Sequence, residues 1–151
     1  LRAVRPDIVF GADIIADFPT EDEEMFQASL DLVDDAGLTW LHVFPYSERE
    51  GTPAARMPQV AKAIRKERAE RLRLKGSARV AQLLRERSNT DASVLIERVD
   101  DNGTAYGHSE HFIPVEIAPT QGRTLSSGDL VRARLACSPS SQDIMYGTAL
   151  F

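Results

Sequence analysis

Two apolar runs of strand length, GADIIADFP (Gly11 to Pro19) and LTWLHVF (Leu38 to Phe44), stand either side of one helix-length segment. That pairing narrows the fold more than any other feature of the chain. The first run reads as a short buried strand centred on Ile14 and Ile15 and stopped at Pro19. Thr20 is placed to cap a helix, Glu23 three residues on completes a capping box, and Glu21, Asp22 and Glu24 put negative charge where the helix dipole is positive. Phe26, Leu30 and Val33 recur at i, i+4 and i+7, which gives the helix one apolar face, and Gly37 supplies a left-handed stop. The second run is rich in branched and aromatic residues and returns as a strand. Strand, helix and strand joined by short turns predict parallel strands with a right-handed crossover. The loops DFPTEDEE and PYSEREGTPAA then leave the sheet side by side, at the end where such sheets meet their ligands.

A long helical stretch is expected over roughly residues 59–88, with Ile64, Leu72, Val80, Leu83 and Leu84 as its apolar contacts and Gly76 as a possible break into two helices. SNTDAS reads as a polar linker. Beyond it the texture changes to five short strands, ASVLIERVD, TAYGHSEHF, IPVEIA, LVRARLAC and DIMYGTALF, punctuated by turns at Asp101-Asn102-Gly103 and near Ser126 to Asp129. Such spacing predicts a small antiparallel barrel that closes its own edges. The expected organisation is an α/β domain over 1–90 and a β-barrel over 91–151.

Charge is segregated along the chain. Residues 1–55 carry three Arg against twelve acids, residues 56–87 carry eleven Lys plus Arg against three Glu, and residues 92–151 hold four Arg against seven acids. No apolar run approaches the roughly 18 residues of a membrane span, so the expected setting is the cytosol. The single Cys137 cannot build an internal disulfide, nor a cluster or zinc site made only of this chain's cysteines. His108-Ser109-Glu110-His111 lacks both a cysteine partner and the helical HExxH context of a zinc site, so no metal ligands are assigned. His42, read as lying on a buried strand, is expected to be a hydrogen-bonded core residue. The chain opens without Met and on strand material, which suggests a fragment of a longer protein.

The two loops carry the chemistry. DFPTEDEE presents backbone N–H groups at a helix start, and PYSEREGTPAA adds a phenol, a hydroxyl, a guanidinium and two carboxylates beside it. Such a mouth suits a polar cofactor bearing charges and a ribose; by spacing alone, the same residues serve equally as caps and turns.

GADIIADFPTEDEEMF followed by LHVFPYSEREGTPAARMPQV resembles the radical S-adenosylmethionine methylthiotransferases, in which a G-F-P-G-E-type loop precedes a Y-S-x-R-x-G-T-x-A loop. Within that family, H-V-F-P-Y-S and A-R-M-P resemble the branch acting on threonylcarbamoyladenosine in tRNA, next to the anticodon. The resemblance covers about residues 11–87, and the small barrel beyond residue 90 resembles the OB-like TRAM domain that ends these enzymes and helps hold RNA. It implies the carboxyl-terminal part of a partial (β/α) radical S-adenosylmethionine barrel, with its amino-terminal part lying outside this sequence. It implies cofactor contacts at Phe18, Pro19, Glu21, Tyr46, Ser47 and Arg49.

The cofactors of the full enzyme would be S-adenosylmethionine and two four-iron four-sulfur clusters, one of them held by a C-x-x-x-C-x-x-C motif absent from this chain. No catalytic residue is therefore assigned here, and the fragment alone is expected to be inactive. Asp17 stands where the family usually has glycine, and its carboxylate is expected to crowd a backbone that approaches the cofactor. Glu48 and Glu50 occupy places often held by proline.

With tRNA as the implied partner, Arg65 and Arg68 on the basic helix are candidates for phosphate contact. Arg98, Tyr106, His111, Phe112, Arg132 and Arg134 are candidates on the barrel, the rings as stacking faces for unpaired bases. Two other readings stay open: modification of a ribosomal protein, which the acidic barrel would attract, and a non-catalytic RNA-binding module.

Overall fold

The computed structural model describes residues 1–119, 122–138 and 143–151. Its contacts divide the chain into two compact units, Leu1–Val80 and Ala81–Phe151.

In the first unit β1 (Phe10–Ala16), α1 (Glu23–Asp35) and β2 (Leu38–Pro45) form the expected parallel pair with a helical crossover. A short 3₁₀ turn (Ala54–Arg56) leads to α2 (Lys62–Arg87). Phe26 and Val33 of α1 and Ala69 and Leu72 of α2 are fully buried with Ala16, and Ile14, Leu30, Leu38, Leu41 and Val43 pack on that cluster. Each large apolar side chain so buried contributes about 1.5–3 kcal/mol. The apolar periodicity of α1 thus does what its spacing demands.

Three local expectations fail. The cap of α1 is Asp22, whose Oδ1 accepts the Met25 N–H at 2.8 Å. Thr20 instead sits in the left-handed region at φ 74°, within a turn closed by the Glu21 N–H donating to the Phe18 carbonyl. α2 is unbroken at Gly76, because that glycine serves approach rather than ending: a Cβ there would lie 3.3 Å from the Leu41 side chain. Ile64, expected to be an apolar contact, is 40% exposed.

The second unit holds a closed barrel of β3 (Asp91–Val99), β4 (Ala105–Ser109), β5 (Pro114–Ile117), β6 (Leu130–Cys137) and β7 (Met145–Ala149), in the order β3-β4-β5-β7-β6. Its interior follows the two-residue period of a strand: Ala92, Val94 and Ile96, then Val115 and Ile117, then Val131, Ala133 and Leu135 are all buried. The barrel is mixed, not wholly antiparallel, since β5 and β7 run parallel. An odd number of strands requires this. Alternating directions cannot close around a five-membered ring, so at least one neighbouring pair must agree.

SNTDAS is no free linker. Asn89 takes a left-handed conformation at φ 63°, its N–H donates to the Leu135 carbonyl, and the Leu135 N–H donates to the Thr90 carbonyl, both at 2.8 Å.

Candidate functional site

The parallel register sets Ala16 beside Pro45, so the loops after β1 and β2 emerge at one end of the sheet. The Tyr46 N–H donates to the Ala16 carbonyl at 2.8 Å, and the Phe18 and Tyr46 rings meet edge to face at 5.7 Å. The two loops share a wall. Phe18 is half exposed, Pro19 is fully buried, and Ser47 and Arg49 are exposed on the second loop. Pro19 therefore offers no open surface to a ligand.

Asp17 and Glu21 are organised by charge. Asp17 adopts φ 63°, a conformation that favours glycine, and its side chain is wholly buried. Its carboxylate does not crowd the mouth, as the sequence suggested; it turns into α2, where Oδ1 accepts from the Arg68 guanidinium at 2.8 Å. Arg68 also donates to the Glu21 carbonyl and to Glu23 Oε2, both at 3.1 Å. Glu21 folds back so that Oε2 accepts the Asp17 N–H at 2.7 Å. Burial pushes the Glu21 carboxyl up from its ordinary value, while that backbone hydrogen bond opposes the shift. The Arg71 guanidinium beside Glu23 holds that carboxyl below the usual range.

The basic helix is consequently less available to phosphate than its charge suggests. Arg68 is 7% exposed and saturated by carboxylates, and it lies 5.2 Å above the Phe26 ring. Arg65 is 14% exposed, donates to the Tyr46 carbonyl at 3.1 Å and lies 3.6 Å from Glu48. Both candidates belong to the scaffold that holds the loops to α2. The sequence signal for this was present in Asp17 itself, a carboxylate where the chain needs positive φ.

The exposed face of the sheet was also missed. Asp13 pairs in register with His42 and Ile15 with Phe44, and all four are exposed. His42 is not a core residue. Alternation along β2 puts Thr39, Leu41 and Val43 on the helix side and Trp40, His42 and Phe44 on the other, and both faces look apolar in the sequence.

On the barrel, Arg98 lies 3.7 Å above the Tyr106 ring, and Phe112 is 68% exposed and stacks on His108 at 4.7 Å. His111 is buried and presents no stacking face, because the turn that displays Phe112 folds it inward. Arg132 and Arg134 are exposed and both meet Asp91, the first at 3.7 Å. The Arg134 hydrogen bond, more than any other contact, holds the Asp91 carboxyl below its ordinary range.

No protein-family model matches the chain. Over 135 residues, 89% of its length, it is 49% identical to the threonylcarbamoyladenosine tRNA methylthiotransferase MtaB of Rickettsia prowazekii. The chain belongs to the radical S-adenosylmethionine methylthiotransferase family. It is also 40% identical over 100 residues to the tRNA-2-methylthio-N(6)-dimethylallyladenosine synthase of Dichelobacter nodosus, and 36% identical over 141 residues to that of Cereibacter sphaeroides. It spans 30% of the length of the first of these methylthiotransferases, 22% of the second and 31% of the third. The closed five-stranded barrel fits a TRAM-like domain of the family. Among the described residues no group of His, Cys, Asp and Glu is arranged to hold a metal, and no helix is long and apolar enough to cross a membrane.

Proposed function

We propose that this chain is the carboxyl-terminal part of a cytoplasmic tRNA methylthiotransferase that adds a methylthio group to threonylcarbamoyladenosine beside the anticodon. In this reading residues 1–90 end the catalytic barrel and residues 91–151 form an RNA-binding domain. The single observation that carries it is the 49% identity to a relative of that name across nearly the whole chain. The shared wall of the two loops supports it physically, since a family pocket divided between them needs both at one end of the sheet.

The residues present fit one wall of an S-adenosylmethionine site. Phe18 offers an exposed ring, Ser47 a hydroxyl, Arg49 a guanidinium without an ion pair among the described residues, and Glu21 a partly buried carboxylate held by the Asp17 N–H. When bound, that cofactor would supply the radical that takes hydrogen from the adenine ring. This chain's part is to bind and orient, because the difficult chemistry belongs to the cofactor. The cluster is a different matter. Cys137 is the chain's one cysteine, so the iron ligands must come from elsewhere in the polypeptide and the fragment alone is inactive.

Mass analysis of tRNA from cells lacking the gene tests the assignment. Loss of the methylthio mark from threonylcarbamoyladenosine is expected; an unchanged mark overturns it.

A further inference from the structure

The sheet of the first unit has one face covered by helices and one face open. On the covered side Ile14, Leu41 and Val43 pack on the buried cluster. On the open side the register pairs side chains rung by rung down from the mouth: Ile15 with Phe44, then Asp13 with His42, then Gly11 with Trp40. Successive rungs lie about 6.6 Å apart, two residues of strand rise. Ile15 and Phe44 are 61% and 53% exposed. Asp13 and His42 are exposed as well, and among the described residues neither makes a hydrogen bond or an ion pair.

The order of the rungs selects a ligand. A face meant to lie under a further layer of protein would be apolar throughout, as the helix side is, because burying a carboxylate and an imidazole without partners is costly. Here an apolar rung stands next to the mouth and a polar rung below it. Ile15 and Phe44 offer a flat hydrophobic contact to a base, and the imidazole of His42 keeps one N–H in either neutral tautomer and two when charged. Neighbouring strands stand about 4.8 Å apart, so Asp13 is placed to fix the ring through one nitrogen while the other meets the ligand. What fits is a base whose substituent ends in an anion.

The relatives differ in that substituent. One is named for threonylcarbamoyladenosine, whose N6 group ends in a threonine carboxylate, and the others for dimethylallyladenosine, whose N6 group is a hydrocarbon. A urea carbonyl, a nitrogen and a Cα separate the adenine from the threonine carboxylate, enough to span from one rung to the next. A hydrocarbon would leave His42 without a partner; a carboxylate supplies one.

We infer that His42 is the specificity-determining residue of the site: its N–H donates to the carboxylate of the threonylcarbamoyl group while Ile15 and Phe44 hold the adenine and Asp13 orients the ring. This role rests on the tRNA methylthiotransferase reading above, and adds to it the side chain that tells one N6 substituent from another.

The test measures binding to the full-length enzyme without reductant, so that no turnover is involved. Fluorescence anisotropy compares an anticodon stem-loop RNA carrying threonylcarbamoyladenosine with the same RNA carrying its methyl ester, which removes the negative charge and keeps the rest of the substituent. The parent should prefer the free acid about tenfold, the order of one hydrogen bond to a charged group. His42→Phe should bring the two affinities level, and His42→Lys should keep the preference through a charged donor. Equal affinities of the parent for acid and ester overturn the inference, and that measurement needs no variant. A preference undiminished in His42→Phe overturns it too, as does a fall of both affinities with their ratio kept, the mark of a structural role. These outcomes separate from the tRNA assay: a mark lost with the gene and a preference indifferent to His42 sink this inference alone, and an unchanged mark with a His42-dependent preference sinks the enzyme reading alone.

Discussion

Arg68 in the α/β unit and Arg134 in the barrel each hold an aspartate, and the two pairs do opposite work. Arg68 and Asp17 are 7% and 0% exposed, so neither charge can find water if its partner is lost. Arg134 and Asp91 are 53% and 25% exposed, and solvent can replace either partner. The first unit thus uses charge as internal structure, clamping the first loop to α2 at the mouth of the sheet. The barrel uses apolar alternation for its interior and leaves charge on its surface. A cationic run therefore does not forecast a cationic surface; burial decides which guanidinium can meet a ligand.

The sharpest way to break that contrast is Arg68→Ala. It strands the Asp17 carboxylate in the interior and should cost about 3–5 kcal/mol, read by the urea midpoint of Trp40 fluorescence, since Trp40 lies on β2 of that unit. Asp17→Gly should cost clearly less. Arg68 keeps the Glu23 carboxylate and the Glu21 carbonyl, and glycine relieves about 1–3 kcal/mol of strain at φ 63°. Equal losses from the two variants would mean that the pair does not clamp the first loop to α2. The barrel's matching weak point is steric. A Cβ at Gly107 would stand 1.9 Å from the Leu95 carbonyl oxygen, so Gly107→Ala should force the β3 and β4 backbones apart at about 1–3 kcal/mol. Hydrogen exchange should show the loss in the amides of β3 and β4; unchanged protection would refute the close approach.

Much of this was legible in the sequence because the relevant signals are local and periodic. The βαβ order, the apolar face of α1 and the five barrel strands follow from spacing of 3.6 and 2, and the two loops could be placed at one mouth from strand direction alone. What was not legible depends on a partner distant in the chain. Asp17 and Arg68 are 51 residues apart, so Arg68 read as surface charge. His42 read as core because both faces of β2 are apolar and only packing on α1 and α2 chooses between them. The parallel β5 and β7 pair follows from the parity of a closed ring, which no single strand displays.

The smallest expected effect is in acid titration, where the contrast becomes a matter of sign. Burial raises the Glu21 carboxyl, with Asp17 and Asp22 adding to the rise and the Asp17 N–H and Arg68 opposing it. Between its ordinary value and its raised one, the folded chain binds more protons than the unfolded chain, so stability from this group falls as pH rises through that window. Asp91 is shifted the other way by Arg134 and Arg132, as Glu23 is by Arg71 and Arg68. Their contribution is complete above the ordinary carboxylate range and is lost as pH falls through their lowered values. Carboxylate NMR titration reads each group separately, and should place Glu21 above the ordinary range with Glu23 and Asp91 below it. Glu21→Gln keeps an oxygen for the Asp17 N–H and should remove the upper midpoint while leaving the two lower ones in place. A Glu21 midpoint in the ordinary range would mean that water reaches this carboxylate, and the first loop would then be looser than the Asp17 and Arg68 clamp requires.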